Sequence, residues 1–292
     1  MPLRGCSSRP NKYYMIHIIT NHHETLKWLG VQANYLSANT TANYRVYCGT
    51  TDILDPTTLN STHETVGMSE KYCFDLLTTV INNHGDKLNS LASLIDTEEG
   101  IGEDDIIIFL DPDAFPIERG WNERIKEWLQ KVPVLAISRE ENPEPLLKPD
   151  QKPYPHPCFL ATTLKFWKEN NLSWEIDPAQ GASCAGVLLK KWLDENQIQW
   201  GKMLRSNCSN LHPLNFGVYG SLIYHHGSGN RPTYDSVDIW SRPELAQKYG
   251  VSLDLHFPQL VEFNGEISDL VFRKIEEDTN FIRMYFCGRD RL

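Results

Sequence analysis

The sequence lacks an apolar run long enough to cross a membrane, a cysteine pair at CxxC spacing, and a stripe of clustered basic residues. Each absence removes a class of protein. A bilayer-spanning helix needs about 20 consecutive apolar residues, so no transmembrane segment is expected. The seven cysteines, at positions 6, 48, 73, 158, 184, 208 and 287, are odd in number and scattered. They fit free thiols in a reducing compartment better than a disulfide framework or a structural zinc site. Lys and Arg number 28 against 38 Asp and Glu, a formal charge of −10. A nucleic-acid partner needs cations along its phosphate track, and none is expected. Residues 1–10 contain no apolar h-region, so no signal peptide is read there. Asn39, Asn60, Asn171 and Asn207 stand in N-x-Ser/Thr triplets, which carry meaning only on a secretory route. The expected location is cytoplasmic.

What is present suffices for a substantial core. The chain has 292 residues, 40% hydrophobic and 23% charged, enough for one large α/β domain or two small ones. Tyr13–Ile19 reads as a strand, Glu24–Ser37 as a helix through Leu26, Leu29, Ala33 and Leu36, and Tyr44–Cys48 as a second strand. Such a β-α-β opening pairs its strands in parallel through a right-handed crossover. Helices are predicted around Ser69–Ile81, through Leu88, Leu91, Leu94 and Ile95, and over Trp121–Gln130, with a strand at Val132–Ile137. Segment 138–157 holds Pro143, Pro145, Pro149, Pro153, Pro155 and Pro157. That density excludes helix and central strand, leaving a lid, an acceptor-side loop or a disordered segment. Ala185–Asn196 reads as a helix or a strand-helix transition and Phe216–Tyr224 as a strand. Residues 241–292 read as helical and charged, packed on the sheet or mediating self-association.

The most informative stretch is Asp104–Pro116. Five apolar residues, Ile106-Ile107-Ile108-Phe109-Leu110, run into Asp111 and Asp113. An unbroken β-branched run reads as a strand buried on both faces, and open α/β sheets place ligands at the C-terminal ends of such strands. Two carboxylates there are costly to hold together without a positive charge between them. A hard divalent cation sharing phosphate oxygens is the candidate. Further on, Tyr224-His225-His226-Gly227-Ser228-Gly229-Asn230-Arg231 delivers imidazole beside small residues and a cation. Neutral imidazole can ligate manganese. His225 and His226 point to opposite faces of an extended strand, so either could be the ligand.

The acidic stretch resembles the DXD motif of GT-A glycosyltransferases, and the His-His-Gly turn is similar to the late His-Gly-Lys-Pro motif of glycogenin-like members. With the HG-x-x-LN, FLDPDAFP, HPCFLATT, HPLNFGVYG and YHHGSGNR blocks, residues 13–232 resemble short single-domain glycosyltransferases of bacteria and large algal viruses. The resemblance implies an α/β, GT-A-like (Rossmann-like) fold with a mixed, mainly parallel central sheet flanked by helices. The implied division is a leader at 1–12, a glycosyltransferase domain at 13–240 and a helical C-terminal segment at 241–292. Within the domain, 13–117 is the nucleotide-binding half and 118–240 the acceptor half.

The resemblance also implies Mn2+ or Mg2+, with Asp113 a direct ligand, Asp111 reaching the metal through water or the ribose, and His225 or His226 completing the shell. Arg231 would grip the diphosphate of a UDP-sugar donor. Thr20, Asn21, Thr50 and Asp52 lie where base and ribose would sit, and His84, Gly85 and Lys87 open the helix that reaches the nucleotide. For an inverting transfer to a glycan hydroxyl, Asp177 is the first candidate base and Glu175 the second, with Trp174 placed to stack on a sugar. A retaining mechanism needs no such base. The competing readings are a non-catalytic nucleotide-sugar or glycan binder and a phosphatase of the haloacid dehalogenase type. Self-association as a homodimer would use the C-terminal segment.

Overall fold

The computed structural model describes residues 14–22, 25–50, 72–74, 84–95, 102, 104–138, 153–177, 179, 185–211, 215–227 and 267–288. The chain opens with β1 (Met15–His22), α1 (Lys27–Asn39) and β2 (Asn43–Thr50), the expected β-α-β unit. There follow β3 (Tyr72–Phe74), α2 (His84–Ser93), β4 (Ile106–Leu110) and β5 (Ala114–Pro116). Next come α3 (Trp121–Leu129), β6 (Val134–Ser138), β7 (Pro155–Thr163) and α4 (Leu164–Glu169). The rest are α5 (Val187–Glu195), β8 (Gly201–Met203), β9 (Gly217–Tyr219), β10 (Ile223–His225), α6 (Ile267–Glu277) and α7 (Phe281–Tyr285).

Seven strands form one sheet in the order β3-β2-β1-β4-β7-β6-β8. All neighbours are parallel except that β7 runs against both β4 and β6. This is the mixed, mainly parallel sheet flanked by helices that the sequence predicts. Strand β4 lies at its centre and is buried on both faces, the physical reason for its unbroken apolar run. Ile106, Ile108 and Leu110 pack with Leu29 and Leu36 of α1 and with Trp121 and Ile125 of α3. Ile107 and Phe109 pack on the other face with Leu88 and Leu91 of α2, Leu164 of α4 and Leu189 of α5.

A second, antiparallel sheet, β5-β10-β9, sits beside the first. It carries the C-terminal helices: Val271, Phe272 and Ile275 of α6 and Ile282 of α7 pack with Phe115, Val218, Tyr224 and Trp28.

Three expectations are corrected. Within the predicted helix at 69–81, Tyr72–Phe74 is a strand parallel to β2; the rest of that stretch lies outside the described residues. Tyr-Cys-Phe suits a pleated edge better than a helix. The single strand predicted over Phe216–Tyr224 is a hairpin. Gly220 and Ser221 both take left-handed backbone, φ 55° and 56°, and Leu222 N–H donates to Tyr219 O at 3.0 Å. Two successive left-handed residues are the central pair of a type I′ turn, and the register Tyr219↔Ile223 leaves Leu222 as a third loop residue. Finally, Pro155 and Pro157 belong to β7, a central strand. Pro155 is its first residue, and Pro157 lies where the register to β6 breaks, between Ala136↔Leu160 and Ile137↔His156. At a strand start and at a bulge, the missing N–H costs no ladder bond.

Candidate metal centre

Strand β4 ends at Leu110, and the chain reverses through Asp111-Pro112-Asp113-Ala114 into β5. Ala114 N–H donates to Asp111 O at 3.0 Å, and Asp111 N–H donates to Cys158 O of β7 at 3.2 Å. Pro112 follows the first residue of this turn, where its fixed φ is favoured. Strand β10 pairs antiparallel with β5, setting His225 opposite Ala114, and His226 N–H donates to Asp113 O at 3.0 Å. These backbone bonds bring the three side chains together. His225 Nε2 lies 3.6 Å from Asp111 Oδ2 and 3.5 Å from Asp113 Oδ1. One ligand atom from each residue falls within 4.8 Å of the others, and Asp113 and His225 are buried.

The donor set fits a divalent cation. Ligand atoms at right angles around an octahedral ion lie about 3 Å apart for Mg2+-length bonds and about 3.4 Å apart for Ca2+-length bonds. The two His225 spacings, 3.6 and 3.5 Å, lie within roughly 0.6 Å of these separations, and the cluster as a whole stays within 4.8 Å. Two hard carboxylates with one imidazole suit Mn2+ or Mg2+.

His84, the first residue of α2, places Nε2 3.4 Å from Asp111 Oδ1. Burial alone would raise the Asp111 carboxyl. The hydrogen bond and charge of His84, with the charges of His225 and His156, outweigh burial and hold it below the usual carboxylate range.

His226 is not in this cluster, which corrects its candidacy as a metal ligand. Its Nδ1 lies 3.0 Å from Tyr224 Oη and its Nε2 2.8 Å from Ser268 Oγ on α6. Trp28 and Phe216 pack on its ring. Burial, followed by the charges of Lys27 and His225, pushes its pKa well below the ordinary histidine value.

The other candidate residues fall in separate places. Thr20 and Asn21 are buried at the C-terminal end of β1, paired with Cys48 and Gly49. Thr20 Oγ1 has no hydrogen-bond partner among the described residues. Gly49 leaves room for Asn21: a Cβ there would meet Asn21 Oδ1 at 3.1 Å. Thr50 is the last residue of β2. Gly85 is buried and Lys87 half-buried on α2. Asp52 and Arg231 lie outside the described residues.

Asp177 accepts from Ala179 N–H at 2.9 Å, an Asx-type turn. Glu175 is exposed and lines a cleft of about 290 Å3 with Leu188, Trp192 and Glu195. Neither carboxylate belongs to the Asp111–Asp113–His225 cluster. Trp174 is not at the surface. It is fully buried against Phe109 and Trp167, which corrects its reading as a sugar platform.

One residue gained a place that the sequence did not give it. His156, at the start of β7, sits with its ring centroid 6.0 Å from that of His225. Cys158 N–H donates to its Nδ1 at 3.1 Å, which puts the proton of the neutral ring on Nε2. Because β7 runs against β4, its N-terminal end meets the C-terminal end of β4. Only the sheet order could have signalled this.

No family model and no curated protein matches the chain. Among solved structures it is similar to the mannosyltransferase PcManGT from Pyrobaculum calidifontis in complex with GDP-Man and Mn2+, at 12% identity over 66% of this chain and 55% of that one, TM-score 0.48. It is also similar to residues 1–349 of S. aureus TarS in complex with UDP-GlcNAc, at 14% identity over 55% and 48%, TM-score 0.39. A third similarity is to the galactosyltransferase LgtC in complex with donor and acceptor sugar analogs, at 11% identity over 83% and 99%, TM-score 0.41. The match spans about half the length of PcManGT (55%) and of TarS (48%).

Proposed function

We propose that the protein is a metal-dependent glycosyltransferase that moves a sugar from a nucleoside diphosphate sugar, a UDP-sugar, to a hydroxyl of a glycan acceptor. The observation that carries this reading is the convergence of Asp111, Asp113 and His225 at the C-terminal end of the central strand. In this reading Asp111, Asp113 and His225 hold Mn2+ or Mg2+. A cation bound there supplies Lewis-acid neutralisation of the diphosphate leaving group. The ends of β1 and β2, with Thr20, Asn21 and Thr50, seat the nucleotide beside His84. Asp177, with Glu175 as second candidate, takes the acceptor proton in an inverting transfer.

The test is nucleotide release from a panel of UDP- and GDP-sugars with Mn2+. Turnover with one donor, abolished in a folded Asp113→Ala protein, supports the reading; equal metal-dependent turnover in Asp113→Ala sinks it. Asp177→Asn is expected to lower kcat at least about 100-fold, the usual contribution of a general base. Unchanged kcat in both Asp177→Asn and Glu175→Gln would favour the retaining mechanism.

A further inference from the structure

A residue of α1 holds the acidic turn from behind. Gln32 is fully buried, and its Nε2 donates to the carbonyl oxygens of Asp111 and Ala114, each at 2.9 Å. These are the first and last residues of the turn, already joined by Ala114 N–H to Asp111 O. The orientation of the amide follows from chemistry. Two carbonyl oxygens can be met only by the NH2 end, which has two donors; a flipped amide would set oxygen against oxygen.

Gln32 is also an exception within its helix. The other buried residues of α1, Trp28, Leu29, Val31, Ala33, Tyr35 and Leu36, are aliphatic or aromatic, and Gln32 lies among them. Its Oε1 is enclosed with no hydrogen-bond partner among the described residues, and a buried acceptor left unmet is unfavourable. An apolar side chain of the same length would remove that penalty and would release both ends of the turn. The polar choice is therefore explained by what the amide holds.

We propose that Gln32 is a positioning residue: by pinning both ends of the Asp111–Ala114 turn, it sets the separation of the Asp111 and Asp113 carboxylates and hence the affinity of the site for a divalent cation. Among the described residues the Gln32 amide ties the carbonyls of Asp111 and Ala114, and it acts through Asp111 and Asp113. The proposal rests on the cation reading of the Asp111–Asp113–His225 cluster. Groups that orient metal ligands from behind change metal affinity by about 10–100-fold when removed.

The experiment is a calorimetric titration of Mn2+ into the full-length protein, with the thermal midpoint of the metal-free protein recorded beside it. Wild type is compared with Gln32→Met, Gln32→Glu and Leu193→Ala, the last a cavity on the opposite face of the sheet. Gln32→Met is expected to weaken Mn2+ binding about 10–100-fold. Leu193→Ala is expected to lower the midpoint and leave Mn2+ affinity unchanged. Gln32→Glu sets an oxygen toward the Asp111 and Ala114 carbonyls and is expected to weaken binding at least as much; it replaces the Met variant should that fail to fold. Wild-type Mn2+ affinity in a folded Gln32 variant, or an equal loss in Leu193→Ala, overturns the proposal while the cation reading stands. A wild-type protein that takes up no Mn2+ overturns both.

Discussion

An extended strand sends consecutive side chains to opposite faces, and at His225 and His226 that alternation separates two chemistries. His225 meets the carboxylates; His226 is locked between Tyr224 and Ser268. The two alanine variants should therefore fail differently. His225→Ala is expected to lose Mn2+-dependent turnover with a thermal midpoint near wild type. His226→Ala removes a buried ring and two polar contacts, and should cost on the order of 3 kcal/mol in a urea titration. A midpoint loss in His225→Ala as large as that in His226→Ala would refute the division. At this scale the sequence shows the acidic pair, because its spacing is local. It cannot choose between adjacent histidines, since both satisfy the same pattern. Gln32 and His156 stay hidden for another reason: each reaches the site across strand or helix packing, and neither the α1 pattern nor the HPCFLATT block says which side chain faces the acidic turn.

Elements were legible where apolar periodicity is strong, as in β1, α1 and β4, and misread where a single backbone conformation decides. The β9–β10 hairpin is the clearest case. Gly220 and Ser221 look like any small polar pair, yet their shared left-handed conformation turns one predicted strand into two and sets His225 across from Ala114. Gly220→Val forces a β-branched residue into φ 55°, with a Cβ 3.0 Å from Met203 Cε. The expected cost is about 1–2 kcal/mol, read as a lower urea midpoint. Because the hairpin carries His225, Mn2+ affinity should fall with it; a variant as stable as wild type would show that the turn tolerates another conformation. The proline-bearing start of β7 teaches a similar lesson. Counting prolines argues against a strand, whereas their positions at its first residue and at a bulge allow one.

At the scale of the whole molecule, the sheet buries a histidine that is not part of the candidate site. His17 of β1 lies beside Tyr47 Oη at 3.1 Å. Burial chiefly lowers its pKa to about 4; Asp105 opposes the shift, while Arg45 and Lys168 add to it. The unfolded chain protonates this ring near pH 6.5 and the folded chain only near pH 4, as order-of-magnitude values. Stability is thus fully present above about pH 6.5, is lost as pH falls toward about 4, and levels off below. His17→Leu is expected to flatten part of that loss in urea midpoints measured between pH 7.5 and 4, leaving the neutral-pH slope unchanged. An identical pH profile in wild type and variant would exclude His17 as a source of acid sensitivity. Global topology was legible only in part: the β-α-β opening predicts parallel pairing, but nothing local announces that β7 runs against its neighbours.

The contact between Ser268 and His226 has a consequence in time. Ser268 Oγ lies 2.8 Å from His226 Nε2, while His226 N–H donates to the Asp113 carbonyl. Residues 267–286 emerge from the ribosome after every other described part of the site. Domains fold as units while translation proceeds at about 5–20 residues per second, so a chain made only as far as His226 still has its histidine turn unbraced. Until α6 is made, His226 lacks its Ser268 contact, so a late-made segment closes a contact begun in the middle of the chain.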